Sequence, residues 1–258
     1  MATVDDVIKV MEGIASPNLA EDWDNVGLML GRRDMAVKKI LLALDLTQES
    51  FSQAMQVKAN MIITHHPAIF KKLNTLTDAS YQQELLLTCA ENGVAVYSAH
   101  TNLDCAVQGV NDSLVAKLGL SNVEVLDDSN GLGRIGFVDS CSLQDFAKQV
   151  KEQLQADYVV MASAKRPVHK VAVCGGAGID LIPVALAKGA DTLVTGDVKY
   201  HNAQEAVYSG LNVIDAGHQA TELPVLPDLA VRLKQELREQ GFRIKIVVAE
   251  EEWLLTAV

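Results

Sequence analysis

Met61-Ile62-Ile63-Thr64-His65-His66-Pro67 is the stretch on which the reading of this 258-residue chain turns. A short apolar run of strand type stops at two adjacent imidazoles and at a proline, which has no N–H with which to continue a ladder. Successive strand residues face opposite ways. Both rings therefore reach one cavity only at the strand's mouth, where the chain turns. Imidazole nitrogen is a common metal ligand. At this point two readings stand: a ligand pair, or one exposed histidine beside one that caps a loop.

Working outward, Ile40-Leu41-Leu42-Ala43-Leu44 is a continuous apolar run closed by Asp45, as expected of a strand covered on both faces. A helix over 47–59, capped by Thr47 with Glu49 in its first turn, delivers the chain to the histidine strand. A helix over 79–92 stops at Gly93, and the strand Val94-Ala95-Val96-Tyr97-Ser98 ends in Ala99-His100-Thr101-Asn102-Leu103-Asp104. A helix over 109–118 and the run Val123-Glu124-Val125-Leu126 follow. At the start of the chain, Thr3 caps a helix to Ala15, broken by Ser16-Pro17-Asn18. The segment 21–31 then mixes acid, amide, aromatic and glycine, and reads equally as a functional loop or a packed turn.

Asp127-Asp128-Ser129-Asn130-Gly131 is a polar turn cluster near mid-chain and the expected junction. It divides the chain into 1–126 and 127–258, with the C-terminal part packing back on the first half. Beyond the junction the pattern returns. Lys170-Val171-Ala172-Val173-Cys174 matches the strand at Lys39, and the helix over 179–188 matches its helix. Asp191-Thr192-Leu193-Val194-Thr195-Gly196-Asp197 falls where the histidine strand fell, with Asp197 in the place of His66; Leu211-Asn212-Val213-Ile214-Asp215-Ala216-Gly217-His218 falls where the strand before His100 fell. A helix over 227–240 and a strand over 243–248 close the chain. The expected fold class is α/β: two similar α/β domains with largely parallel sheets, and a metal site at the strand C-terminal ends between them.

An apolar content of 49% supplies a core. The apolar runs are too short to span a bilayer, and the N-terminus lacks the order of a signal peptide, so a cytoplasmic protein without a membrane is expected. A net charge of −11 argues against nucleic acid as a partner and for small molecules or proteins. The four cysteines, at 89, 105, 141 and 174, have no C-x-x-C spacing and read as reduced, buried thiols.

In open α/β sheets ligands gather beyond the carboxyl ends of the strands. Four such ends carry His65-His66, His100 with Asp104, Asp197 with His201, and His218 with Glu222, which accounts for five of the six histidines. A spacing of four puts His218 and Glu222, and likewise Asp197 and His201, on one face of any helix that starts there. Histidine with carboxylate suits zinc, manganese or iron, and two neighbouring ions activate a water at neutral pH. The sixth, His169, lies at the opposite strand end and reads as a surface residue. Cys174-Gly175-Gly176-Ala177-Gly178 reads either as a phosphate-cradling turn or as a tight strand-to-helix turn; the full Rossmann and P-loop spacings are absent.

Together with Trp23-Asp24-Asn25-Val26-Gly27-Leu28 and Leu44-Asp45-Leu46-Thr47, the segments at 63–67, 98–104, 195–201 and 217–222 resemble the Nif-three-like dinuclear metal-centre family, the type 2 homologues of GTP cyclohydrolase I. The resemblance covers essentially the whole chain. It implies His65, His66, Asp104, His218 and Glu222 as ligands of two divalent metal ions, with Glu222 as the bridge. It also implies His100, Asp197 and His201 as pocket residues, and a ring-shaped homohexamer. The expected function is a metal-dependent hydrolase, GTP cyclohydrolase-like or a phosphoesterase, with a small-molecule substrate that includes nucleotides among its candidates and His100 or His201 shuttling a proton. The alternative from another class is a non-catalytic metal-binding or regulatory partner protein. Roles for Asp24, Asp45 and Asp197 are left open.

Overall fold

The computed structural model describes residues 1–256. The chain forms two compact units, one of Met1–Val107 with Leu226–Glu252, the other of Gln108–Val225 with the described residues after Glu252.

The first unit opens with helix α1 (Val4–Ile14), whose start is set by a reciprocal cap between Thr3 and Asp6. Its apolar positions Val4, Val7, Ile8, Met11 and Ile14 recur at helical spacing and are all buried. Strand β1 (Gly27–Leu30), strand β2 (Lys39–Ala43), helix α2 (Gln48–Val57), strand β3 (Met61–Thr64), helix α3 (Tyr81–Glu91), strand β4 (Ala95–Ser98) and the short helix α4 (Thr101–Cys105) follow. Side chains of β2 and β3 are buried on both faces: Leu41, Ala43 and Ile62 pack with Phe51, Ala54, Leu85 and Leu86, while Ile40, Leu42, Met61 and Ile63 are equally covered. Each such aliphatic side chain contributes about 1.5–3 kcal/mol. That burial explains why these strands read as unbroken apolar runs instead of alternating.

The second unit contains helix α5 (Val110–Leu118), strands β5 (Ser121–Val125) and β6 (Arg134–Cys141), helix α6 (Leu143–Leu154), strands β7 (Val160–Ala162) and β8 (Val168–Val173), helix α7 (Ile182–Ala187), strand β9 (Thr192–Thr195), helix α8 (Tyr200–Tyr208), strand β10 (Asn212–Asp215) and the short helix α9 (His218–Glu222). Where a single helix was expected over 179–188, a 3-10 turn (Ile179–Leu181) precedes α7, and Pro183 falls in the first turn of that helix. Buried Arg134 is held by Asp112, Nε to Oδ1 at 2.5 Å and Nη2 to Oδ2 at 3.1 Å, and donates to the carbonyls of Gly131 and Gly133. Helix α10 (Val225–Glu239) and strand β11 (Lys245–Val248) then complete the first unit.

The first sheet runs β1-β4-β3-β2-β11, parallel except for β1. The second runs β5-β6-β8-β9-β10-β7, parallel across β8-β9-β10 and antiparallel at both flanks. The repeat seen in sequence has a structural counterpart. Each sheet has three consecutive parallel strands in the order β2-β3-β4 or β8-β9-β10, and an earlier strand, β1 or β7, runs antiparallel beside the last of them. The polar cluster Asp127–Gly131 is a correction to the expected junction. It closes the β5–β6 hairpin, with Asp127 N–H donating to Leu132 O and Leu126 N–H to Gly133 O, and the units divide instead after Val107. A hairpin turn and a linker draw on the same residue types, so composition does not separate them. Among the described residues no helix is long and apolar enough to cross a membrane. Cys89, Cys105 and Cys174 are buried, Cys141 is half-buried, and burial pushes the Cys89 thiol up to about 11.

Candidate metal-binding groups

In the first unit the ladder outlasts the strand by two residues. His65 N–H donates to Ala43 O and His66 N–H to Leu44 O, so both imidazoles are fixed to the end of β3 by backbone pairing with β2. The register Ala43↔Thr64 carries on to set Asp45 beside His66, and Thr64↔Ser98 sets Ala99 beside His65. Those neighbours are what the rings use. His65 Nδ1 lies 2.9 Å from Ala99 O, and His66 Nδ1 lies 2.9 Å from Asp45 Oδ1. His100, at the end of β4, has its Nδ1 2.9 Å from Asp24 Oδ1.

A carbonyl or carboxylate oxygen only accepts, so each of these Nδ1 atoms carries a proton. This is the arrangement by which outer oxygens orient metal-binding imidazoles. One ligand atom from each of His65, His66 and His100 lies within 4.8 Å of the others. His65 Nε2 is 3.5 Å from Asp104 Oδ1, and the two residues are 2% and 8% exposed. Asp104 reaches this position because α4 begins directly after His100.

Asp24 anchors the loop before β1. Its side chain is fully buried, and Oδ2 accepts from Thr101 N–H at 3.1 Å and from Thr101 Oγ1 at 2.5 Å. Burial alone would raise this carboxyl; the hydrogen bonds from His100 and Thr101 outweigh it and hold the group at about 2. The same loop is tied down by Glu21 N–H to Thr101 Oγ1 at 3.0 Å and by Asn25 Nδ2 to Ile69 O at 2.5 Å. The segment 21–31 is thus packed against the body of the unit, and it sets the Asp24 carboxylate on His100 and Thr101.

The second unit builds its group in a corresponding place. His218 opens α9 after Gly217, its Nδ1 lies 2.8 Å from Asp197 Oδ2, and its Nε2 is 3.2 Å from Glu222 Oε1, four residues on. Glu222 is 3% exposed. A carboxylate buried this far is retained where hydrogen bonds or a cation offset its lost hydration. Two glycines make room for the pair. A Cβ on Gly176 (φ +64) would collide with Glu222 Oε1 and come 3.2 Å from His218 Nε2, and one on Gly196 would lie 2.6 Å from His218 N. The glycine-rich loop is thus the tight turn. Its N–H groups at 175, 176 and 178 donate to Asn111 Oδ1, Thr221 Oγ1 and Thr195 Oγ1, not outward to a phosphate.

Within its own unit, each expected ligand stands with a partner: His65, His66 and Asp104 in the first, His218 and Glu222 in the second. His100 adjoins the first group. Asp197 engages His218, while His201 is exposed on the first turn of α8, its ring 5.3 Å from that of Tyr200. His169 is exposed, with Nδ1 2.8 Å from Val138 O. Sequence reasoning passed over Gly176 and Gly196 as site residues. The signal was present, since a glycine next to a strand end marks a close approach.

The family model Duf34/NIF3 (NGG1p interacting factor 3) matches residues 2–252. A GTP cyclohydrolase 1 type 2 homolog from Clostridium acetobutylicum is 34% identical over 255 residues, covering 96% of this chain and 95% of that protein. The protein NIF3 homolog of Schizosaccharomyces pombe is 32% identical over 261 residues, covering 93% and 92%. Among solved structures, a Bacillus cereus protein related to NIF3 superposes with a TM-score of 0.92 at 26% identity, covering 97% of each chain.

Proposed function

The chain belongs to the Duf34/NIF3 family, and from that membership and its donor chemistry we propose that it is a metal-dependent hydrolase. Two divalent ions, of zinc, iron or manganese, would be held by His65, His66, Asp104, His218 and Glu222. One observation carries the reading: imidazoles held at Nδ1 by an oxygen turn Nε2 toward buried carboxylates, His65 to Asp104 at 3.5 Å and His218 to Glu222 at 3.2 Å. The donor set, imidazole with carboxylate, fits borderline cations of this kind.

When bound, the ions would supply Lewis acidity toward a substrate oxygen. The chain's own residues do the rest. Asp45 and Asp197 hold the His66 and His218 rings in one orientation, and Gly176 lets Glu222 and His218 lie against the turn. His100, fixed by Asp24 with Nε2 open, is the group that takes up or returns a proton. Its ring centroid is 5.3 Å from that of His65 and 5.7 Å from that of His66, whereas His201 is exposed on α8 beside Tyr200. The substrates to which this leads are small electrophiles at carbon or phosphorus, with nucleotide ring opening, in line with the names of the relatives, and phosphoester hydrolysis as the two versions.

Elemental analysis of purified protein, with turnover of GTP and of p-nitrophenyl phosphate, tests this. Two ions per chain are expected, falling in Glu222→Ala and in Asp104→Ala with the fold intact, and turnover falling with them. Metal content unchanged in both variants would refute the ligand assignment. Full metal content without turnover on a broad panel of nucleotides and phosphoesters would leave a non-catalytic metal-binding protein.

A further inference from the structure

Beside the first donor group the molecule carries an aromatic wall that its own core does not use. Trp23 is 59% exposed and Phe70 48% exposed, although both are bulky and apolar. Their ring centroids are 6.0 Å apart, edge to face, and each also meets His100 edge to face, at 6.1 Å from Trp23 and 6.3 Å from Phe70. The three rings form a triangle, one corner of which is an imidazole of the donor group.

Neither exposed ring is on a loose strap. Trp23 precedes Asp24, whose carboxylate is wholly buried against His100 and Thr101, and the carbonyl of Ile69, next to Phe70, accepts from Asn25 Nδ2. The backbone on either side of the wall is thus tied to the same elements that place His100. Such fixed, half-exposed rings lose little conformational freedom when a partner covers them. Phe70 is followed by Lys71 and Lys72, both exposed, an adjacent cationic pair in a chain of net charge −11.

We propose that Trp23 and Phe70 form a subsite for the planar heteroaromatic ring of a phosphorylated small molecule, stacked beside His100, with Lys71 and Lys72 nearest its phosphate. The proposal rests on the hydrolase reading of the same site and names its substrate class. A substrate whose reacting atom meets the imidazoles has its next ring-sized portion over these two side chains. Aromatic faces hold a base irrespective of its hydrogen-bonding edge, and the lysines add attraction for an anion that an acidic surface would otherwise repel.

The chain has two tryptophans, so a Trp253→Phe background leaves Trp23 as the sole indole reporter. Metal-loaded protein is titrated with GTP, with guanosine and with inorganic triphosphate, following fluorescence and calorimetry. GTP and guanosine are expected to quench Trp23 with saturation. In calorimetry, where no indole is required, Trp23→Ala and Phe70→Ala should each weaken GTP binding about tenfold. Trp23→Phe should retain most of the affinity, and triphosphate should bind all variants alike. Equal binding of triphosphate and GTP, affinity for GTP unmoved in Trp23→Ala, or no binding of either ring-bearing ligand would each overturn the subsite. Metal content separates the two claims: loss of ring binding with both ions present sinks the subsite alone, and absence of metal sinks the reading beneath it.

Discussion

Replacing Asp24 with Asn keeps the shape of the side chain and removes its charge. Oδ1 accepts from His100 Nδ1 and from Asn25 N–H, and Oδ2 from Thr101 N–H and Oγ1. An amide turns one of these two positions into a donor facing donors. If the NH₂ falls toward His100, the imidazole must switch tautomer, and Nε2 then carries the proton and ceases to be basic. The stability cost follows from the carboxyl's own equilibrium. Its value of about 2 lies below the ordinary 3.8, and that gap corresponds to about 2.4 kcal/mol as an upper value. Screening by solvent around the exposed neighbours Trp23 and Asn25 reduces this to about 1–2 kcal/mol. Because the folded value is depressed, the contribution is fully present above 3.8 and fades as pH falls through about 2. Urea unfolding of Asp24→Asn should therefore show a deficit of about 1–2 kcal/mol at pH 7, shrinking to roughly half at pH 3. A deficit that is absent at pH 7, or unchanged at pH 3, would refute the reasoning.

Gly176→Ala places a methyl against Glu222 Oε1 at a positive φ, so metal content should fall markedly while the fold loses only about 1–2 kcal/mol; elemental analysis beside a melting curve reads both, and full metal occupancy would contradict the close approach. Asp112→Ala strips the charged partner from buried Arg134 and should cost about 3 kcal/mol in chemical denaturation, since two carbonyls still hold the guanidinium; a loss under about 0.5 kcal/mol would show that the pair is idle. The homohexameric ring implied by the family resemblance should appear as six chains in native mass spectrometry, and a monomer at micromolar concentration would exclude it.

The strand ends could be read from the linear chain because they are local facts. An apolar run that stops at His65-His66-Pro67 contains its own termination, and the repeat of that pattern at 170–218 implied the two related sheets. Thr3 and Thr47 declared their helices in the same way, by a side chain within three residues of the donor it satisfies. The tail's partner was less determined. Lys245–Val248 reads as a strand wherever it goes, and only the packed structure pairs it with β2 and leaves the hairpin at 127–131 inside the second unit. The oxygens that orient the imidazoles were likewise invisible in one dimension. Asp24 meets a ring 76 residues away, and Asp45 and Asp197 each meet one 21 residues away. A histidine's residue type and place at a strand end come from the chain, but which of its nitrogens stays basic depends on the acceptor set against the other. That acceptor is delivered by sheet register and by a docked loop, interactions between distant segments that exist only once the chain has folded.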